Sequence, residues 1–190
     1  MYIKQIYTNC LSQASYYVES AGESIIIDPI RDSNLYLDLV KERNSNVKYI
    51  FETHFHADFV SGHLDLSKLL NANIIFGPGA DTKYNVINAL HEQYFEIGKI
   101  KIKVLHTPGH TPESSSFLLF DEEGNEHAVF TGDTLFVGEV GRPDLAVSQE
   151  LSKEFLAGQL YDSLNNILMK LNDTTILYPG HGPGSSCGTN

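Results

Sequence analysis

The chain has 190 residues, of which 42% are hydrophobic, and this suits one compact domain over residues 1–190 with a substantial core. Its 24 acidic and 13 basic residues give a net charge of −11, which argues against a nucleic-acid partner, because phosphate binding needs clustered Lys and Arg. The two cysteines, Cys10 and Cys187, are too few for a disulfide framework.

The sequence opens without a basic and apolar leader, and no apolar run approaches the length of a membrane span. We therefore expect a cytoplasmic protein with no membrane partner, acting on a small molecule.

The first part of the chain is predicted to form short strands with two helices between them. Strands are expected at 1–7, 14–18, 23–29, 47–51 and 73–76, where apolar runs are bounded by polar residues, Gly or Pro. Helices are expected at 34–42 and after Ser61, which could cap the second helix. Asp28 could bind a metal, but an Asp before Pro is more often a turn-former.

The second part continues the pattern with strands at 97–105, 114–120, 127–131 and 175–178, and one or two helices within 149–171. Because helices do not follow every strand, a doubly wound parallel sheet fits poorly. The expected fold class is α+β, with two mixed β-sheets packed together and helices outside them.

Potential metal ligands follow four of these strands, in loops that Gly and Pro turn sharply. They are His54, His56, Asp58, His110, Asp133 and His181. Asp58 alone could be a helix cap, and Gly132-Asp133 alone could be a turn. Together they predict a metal site, because loops at one edge of a rigid sheet are where binding groups are usually mounted. His63, His91, His106 and His127 are interpreted as structural or surface residues.

Four motifs, in this order and spacing, resemble the metallo-β-lactamase superfamily over essentially the whole chain. They are Thr-His-x-His-x-Asp at 53–58, Gly-His at 109–110, Thr-Gly-Asp at 131–133 and Pro-Gly-His at 179–181. Segments 130–144 and 178–188 resemble the persulfide dioxygenase branch, and in particular bacterial members in which rhodanese domains follow. The resemblance implies an αββα sandwich with the metal at one edge of both sheets. A homodimer and a covalently linked rhodanese domain in a longer protein stay open.

Phe59 departs from the pattern of this superfamily's dinuclear hydrolases. Resemblance to those enzymes would imply a His at this position, where it binds a second metal. Phenylalanine cannot coordinate an ion, so a two-metal hydrolase becomes less favoured. A second ion would keep at most Asp58, His181 and a shared Asp133.

By resemblance, one Fe(II) per chain would be held by His54, His110 and Asp133. Two imidazoles and a carboxylate leave three positions open, as in non-haem iron oxygenases, although the same donors also accept Zn(II). His56, Asp58 and His181 would be supporting groups around the metal ligands, or alternative ligands.

The implied reaction is the oxidation, by O2, of a low-molecular-weight thiol persulfide such as glutathione persulfide to sulfite and thiol. Arg142 is a candidate contact for the substrate's carboxylate, with a structural salt bridge as its alternative. The rival functions are a zinc or mixed-metal thioester hydrolase of the glyoxalase II kind, a nuclease of the same superfamily, and a non-catalytic interaction module.

Overall fold

Two mixed β-sheets make up most of the computed structural model, which describes residues 1–147 and 151–182. The first sheet has six strands in the order β1 to β6: Tyr2–Thr8, Gln13–Ser20, Glu23–Ile27, Asn46–Glu52, Asn73–Phe76 and Ile87–Asn88. Strands β1 to β3 pair antiparallel, and β3 to β6 pair parallel.

The second sheet has five strands, β7 to β11: Tyr94–Ile97, Ile100–His106, Ser115–Phe120, Glu126–Gly132 and Ile176–Pro179. Their order across the sheet is β11-β10-β9-β8-β7, with β10 and β11 parallel and the other pairs antiparallel. The carboxyl ends of β8, β10 and β11 therefore lie at the same edge.

The main core lies between the two sheets, where the inward residues of both meet. Phe51 of β4 packs edge-on against Phe117 of β9, with ring centroids 4.8 Å apart, and Tyr16 of β2 packs on Phe130 of β10 at 5.0 Å. Alternation along β4 sends Phe51 into this core and Ile50 to the opposite face of the sheet.

Helices cover the outer faces of both sheets. Helices α1 (Asn34–Arg43) and α2 (His63–Leu70) pack on the first sheet through buried residues such as Leu39 and Leu66. Helix α3 (Lys153–Asp162) continues as a π-helical turn, Ser163–Ile167, and a 3₁₀ turn, Leu168–Lys170, whose Leu168 packs on the second sheet. The predicted α+β class and αββα sandwich are confirmed.

Two local predictions were wrong. The segment 97–105 is not one strand, because Gly98, at φ +57°, turns the chain between β7 and β8. Ser61 is not the N-cap residue of α2, which is Gly62, although its hydroxyl accepts from the His63 N–H at 3.3 Å; Ser61 Oγ also lies 2.7 Å from Glu52 Oε1 and 3.0 Å from the Pro29 carbonyl oxygen. Residues 149–150 of the predicted helical region lie outside the described residues.

The loop after β4 joins the edge at which β8, β10 and β11 end. The Ser115 backbone N–H donates to the Thr53 carbonyl at 2.8 Å, and the Ala14 N–H donates to the Gly180 carbonyl at 2.8 Å. The first bond joins the loop after β4 to the start of β9, the second joins β2 to the loop after β11, and the Gly180 N–H donates to the Gly132 carbonyl at 2.7 Å, which joins the loops after β10 and β11. Within the described residues, no helix is both long enough and apolar enough to cross a membrane.

Candidate metal centre

Three of the predicted ligands, His54, His110 and Asp133, meet at this edge of the two sheets. Asp133 Oδ2 lies 3.9 Å from His54 Nε2 and 3.6 Å from His110 Nε2, and all three residues are buried. Two bonds of ~2.1 Å to one ion span at most ~4.2 Å, so these distances allow a shared metal. We call His54, His110 and Asp133 the ligand triad.

Both imidazoles of the ligand triad direct Nε2 toward the other ligands because Nδ1 is engaged elsewhere. His110 Nδ1 lies 3.0 Å from the Arg142 carbonyl, which can only accept, so this nitrogen carries the proton. The Thr53 hydroxyl donates to Asp28 Oδ2 at 2.8 Å and therefore accepts from His54 Nδ1 at 3.0 Å. In both rings the Nε2 lone pair is free to bind a metal.

The two carboxylate oxygens of Asp133 have different surroundings. Its Oδ1 accepts from His181 Nδ1 at 2.7 Å, whereas its buried Oδ2 has no hydrogen-bond partner among the residues that the structure describes. A buried carboxylate oxygen without a partner is costly, and a cation between His54 and His110 would satisfy it. The residues present fit a metal ion of the kind the superfamily binds.

His181 also reaches Asp58, since its Nε2 lies 2.8 Å from Asp58 Oδ2. Burial lowers the pKa of His181, but its hydrogen bonds to Asp133 and Asp58 outweigh burial and raise the pKa to about 10. The ring therefore donates from both nitrogens, and Asp58 is its acceptor rather than the cap of α2. The structure places Asp58 and His181 beside the ligand triad, where they are hydrogen-bonded to each other.

Burial and nearby charges keep His54 neutral and Asp133 ionised, which are the protonation states that bind a metal. Burial, and then the positive charge of His56, lower the pKa of His54 to about 3, so its imidazole stays neutral. Burial raises the pKa of Asp133, but the His181 hydrogen bond and the neighbouring imidazoles outweigh it, and the net pKa is well below the usual range.

Two glycines of the sequence motifs make room for these contacts. A Cβ on Gly180 would lie 2.7 Å from Asp133 Oδ1, where His181 binds. Gly132 has φ +50°, and a Cβ there would lie 2.4 Å from Thr53 Oγ1. The Gly of Thr-Gly-Asp and the Gly of Pro-Gly-His thus allow close approach of loops from both sheets.

His56 lies apart from the ligand triad, in a second buried group. Its Nε2 is 3.2 Å from Asp28 Oδ1 and 3.5 Å from Glu52 Oε2. We call Asp28, Glu52 and His56 the Asp28 cluster. Sequence reasoning missed Glu52; an acidic residue ending a buried strand, directly before the motif, was the available signal.

Asp28 follows β3 directly with φ +48°, as its interpretation as a turn-former suggested, but its side chain has a further role. Both of its carboxylate oxygens accept from Thr53, one from the backbone N–H at 2.7 Å and one from the hydroxyl at 2.8 Å. Asp28 therefore fixes the start of the loop that supplies His54.

Arg142 pairs through its guanidinium with Asp144, at 3.0 Å and 2.7 Å. This is the structural salt bridge that the sequence left as the alternative to substrate binding. Its carbonyl, rather than its charge, contacts the ligand triad through His110.

Among the described residues, Cys10, His63 and His106 do not belong to the triad. Cys10 is exposed, and Cys187 lies outside the described residues. His106 bonds the Pro112 carbonyl at 3.0 Å, which confirms its structural interpretation. His63 contacts the Tyr84 hydroxyl and Glu52.

A cleft of about 440 Å³ opens beside His54 and His110. Its walls combine apolar side chains with a few polar ones: Phe55, Ala57, Asp58, Thr111, Pro112, Glu113, Leu145 and Ala146. A cleft of this size and composition suits a small organic molecule.

The family model described as the metallo-β-lactamase superfamily matches residues 8–181. Among curated proteins, a probable hydroxyacylglutathione hydrolase of Schizosaccharomyces pombe is 35% identical over 168 residues, which are 86% of this chain and 60% of that protein. Other matching proteins carry the hydroxyacylglutathione hydrolase name. The chain thus spans about 60% of the length of the first of these relatives, and their names favour a hydrolase over a dioxygenase.

Two solved structures match the fold closely. A metallo-β-lactamase from Staphylococcus aureus superposes with a TM-score of 0.89 at 41% identity, covering 97% of this chain and 57% of that one. ETHE1 from Myxococcus xanthus superposes with a TM-score of 0.84 at 31% identity, covering 100% and 79%, and supports the branch that the motifs indicated. The chain belongs to the metallo-β-lactamase superfamily.

Proposed function

We propose that this domain is a mononuclear non-haem Fe(II) persulfide dioxygenase. The observation that carries the proposal is the composition of the ligand triad. Two imidazoles and one carboxylate converge, while His56 is turned to Asp28 and Glu52, and Phe59 has no donor atom. An ion held this way keeps three positions for substrate, O2 and water, as the two-His-one-carboxylate arrangement does elsewhere.

The proposed reaction converts a thiol persulfide, O2 and water into the thiol, sulfite and two protons. The terminal sulfur is oxidised, O2 is reduced, and the sulfur–sulfur bond breaks. Fe(II) held by His54, His110 and Asp133 would supply the binding and activation of O2. No side chain is needed as a nucleophile.

The chain's own residues have distinct tasks in this scheme. Thr53 and the Arg142 carbonyl fix the two imidazole rings, so that their Nε2 atoms stay aimed at the ion. Phe55 and Leu145 line the cleft and limit the access of water, which leaves room for the organic part of the thiol. The charged pair of His181 and Asp58 holds a proton at the rim of the site.

Arg142 remains our proposed contact for the substrate's carboxylate, although this requires its guanidinium to exchange Asp144 for substrate. That salt bridge is about a third exposed on the arginine side, so water screens it and a substrate carboxylate can replace Asp144 at little cost. We also propose a cytoplasmic location and, in a longer protein, a linked rhodanese domain.

The second candidate is a metal-dependent thioester hydrolase of the glyoxalase II kind, which the names of the curated relatives favour. It would use Zn(II) or mixed metals to activate water. A second ion would need Asp58 and His181 as ligands, but these two side chains are hydrogen-bonded to each other. Phe59 would provide no further donor atom.

One paired measurement separates the two candidates. Protein purified without added metal is analysed for iron and zinc, then assayed for O2 uptake and sulfite production with glutathione persulfide, and for hydrolysis of S-lactoylglutathione. The dioxygenase predicts one iron per chain and sulfite formed in step with O2 uptake. Two zinc ions per chain, with thioester cleavage and no O2 uptake, would establish the hydrolase instead.

A further inference from the structure

His56 is the imidazole of the opening motif that does not join the ligand triad. Its ring lies beside that of His54, with centroids 4.2 Å apart, yet its Nε2 is directed to Asp28 and Glu52. Its side chain is only 3% exposed, so water does not compete for it. Within the described residues neither ring nitrogen makes a hydrogen bond, so the two carboxylates act on this ring electrostatically.

The two carboxylates that face His56 are themselves fixed. Asp28 accepts from the Thr53 backbone and hydroxyl, and Glu52 Oε1 accepts from the Ser61 hydroxyl at 2.7 Å. Ser61 Oγ also lies 3.0 Å from the Pro29 carbonyl oxygen, so the segment before α2 packs against the end of β3. Neither carboxylate can follow His56 if the ring turns toward the metal.

Phe59 covers the other side of the ring. The Phe59 and His56 rings are 4.3 Å apart between centroids, with 34° between their planes. Phe59, which provides no ligand for a second ion, therefore also packs on His56. Without these contacts His56 could be a third imidazole ligand of the first ion. His56 is held by charge on one side and by an aromatic ring on another.

We propose that Asp28 and Glu52 are positioning residues that keep His56 out of the metal's coordination sphere. They thereby restrict the centre to two imidazoles and one carboxylate. This inference rests on the metal centre of the proposed function and explains how that centre keeps its open positions. A third imidazole beside Asp133 would give four protein ligands, which fill a tetrahedral zinc site and leave no position open.

Asp28, Glu52 and His56 lie close enough together to hold a cation themselves. The contacts argue for the charge pair, because Asp28 already accepts from Thr53 at both oxygens and Glu52 accepts from Ser61. A metal found in the Asp28 cluster would overturn the proposal.

The test counts imidazole ligands directly, by X-ray absorption of Zn(II)-loaded protein, together with the Zn(II) dissociation constant from competition with a chelator. The variant Asp28→Asn/Glu52→Gln replaces both carboxyl groups with amides. The amide oxygens can still accept from the Thr53 hydroxyl and from Ser61, whereas the second acceptor oxygen of Asp28, which now binds the Thr53 backbone N–H, is replaced by NH2. We expect two imidazoles in the wild type and three in the double variant, with Zn(II) bound about tenfold more tightly or better.

Glu52→Gln alone is the second variant, in case the double variant does not fold; it should give a mixture of two- and three-imidazole centres. Glu23→Gln is the matched control, since Glu23 is a carboxylate at the start of β3 that pairs with Lys48, and it should keep two imidazoles. Three imidazoles in the wild type, or two in both Asp28-cluster variants, would overturn the proposal.

The outcome is separable from that of the proposed function. A two-imidazole wild type that gains an imidazole in the variants supports the inference even if no sulfite is made, which would defeat only the dioxygenase. Sulfite production with an unchanged imidazole count in the variants would defeat only the inference.

Discussion

The ligand triad and the Asp28 cluster are both buried groups of imidazole and carboxylate, and both draw a histidine from the same short loop. Among the described residues they differ in which buried atoms lack a hydrogen bond: Asp133 Oδ2 in the triad, and both ring nitrogens of His56 in the Asp28 cluster. The triad leaves Asp133 Oδ2 without a partner in the described part of the chain, and its two rings present free Nε2 atoms. In the Asp28 cluster the imidazole faces two carboxylates that other donors already fix.

The difference shows that spacing alone does not make a ligand. His54 and His56 are two residues apart, and their side chains are directed to different partners. Thr53 connects the two groups, because its hydroxyl accepts from His54 and donates to Asp28. Both groups are compact enough for a cation, and we assign the metal to the triad, where an unpartnered carboxylate oxygen and two free Nε2 atoms converge.

The largest effect should follow from breaking the ligand triad. His110→Ala leaves two protein ligands, so we expect metal content to fall to background, beyond the ~10–100-fold loss of affinity typical for a supporting partner. Metal analysis after dialysis and the turnover assay measure this. The control is His127→Ala, because His127 lies near the start of β10, at the end of the strand opposite Asp133; this variant should bind metal normally. Full metal content in His110→Ala would show that the ligand assignment is wrong.

The connection between the two groups predicts the next largest effect. Thr53→Val keeps the shape of the side chain but removes the acceptor for His54 Nδ1 and the donor to Asp28. We expect metal affinity to fall ~10–100-fold, measured by chelator competition. Thr53→Ser retains the hydroxyl and should bind nearly as tightly as the wild type; equal losses in both variants would contradict the role of the hydroxyl.

Phe59→His tests why the centre holds a single ion. The new imidazole would add a nitrogen to Asp58 and His181, so we expect zinc per chain to rise from one toward two. Phe59→Leu, which removes the ring without adding a donor, should stay at one. Failure of Phe59→His to bind more zinc would mean that the Asp58–His181 pair, and not the missing donor, closes the second position.

The sequence predicted the edge of the sheets where the loops meet, because His54, His110, Asp133 and His181 each follow an apolar strand. It could not predict the direction of His56, since Asp28 and Glu52 approach that ring only after β3 and β4 pair in parallel. The break at Gly98 was missed for a related reason. The alternation of 97–105 continues across the turn, and only pairing of β7 with β8 shows two strands.

The smallest predicted effect concerns His63, which flanks the Asp28 cluster at 3.5 Å from Glu52. Burial, and then the charge of His56, lower the pKa of His63 to about 4 from its ordinary value of 6.5. The unfolded chain therefore takes up a proton at this residue as the pH falls through about 6.5, while the folded protein does so only near 4. The stability that neutral His63 provides is complete above pH 6.5 and is lost between about 6.5 and 4. Because the ring is partly exposed, we expect the loss to be about 1–2 kcal/mol.

The measurement is the free energy of unfolding by urea at intervals from pH 7 to 4, for the wild type and for His63→Gln. Glutamine cannot titrate, and its amide can still bond the Tyr84 hydroxyl and Glu52. The advantage of the wild type over His63→Gln should shrink steadily as the pH falls. An advantage that stays constant to pH 4 would show that the folded protein does not lower the pKa of His63.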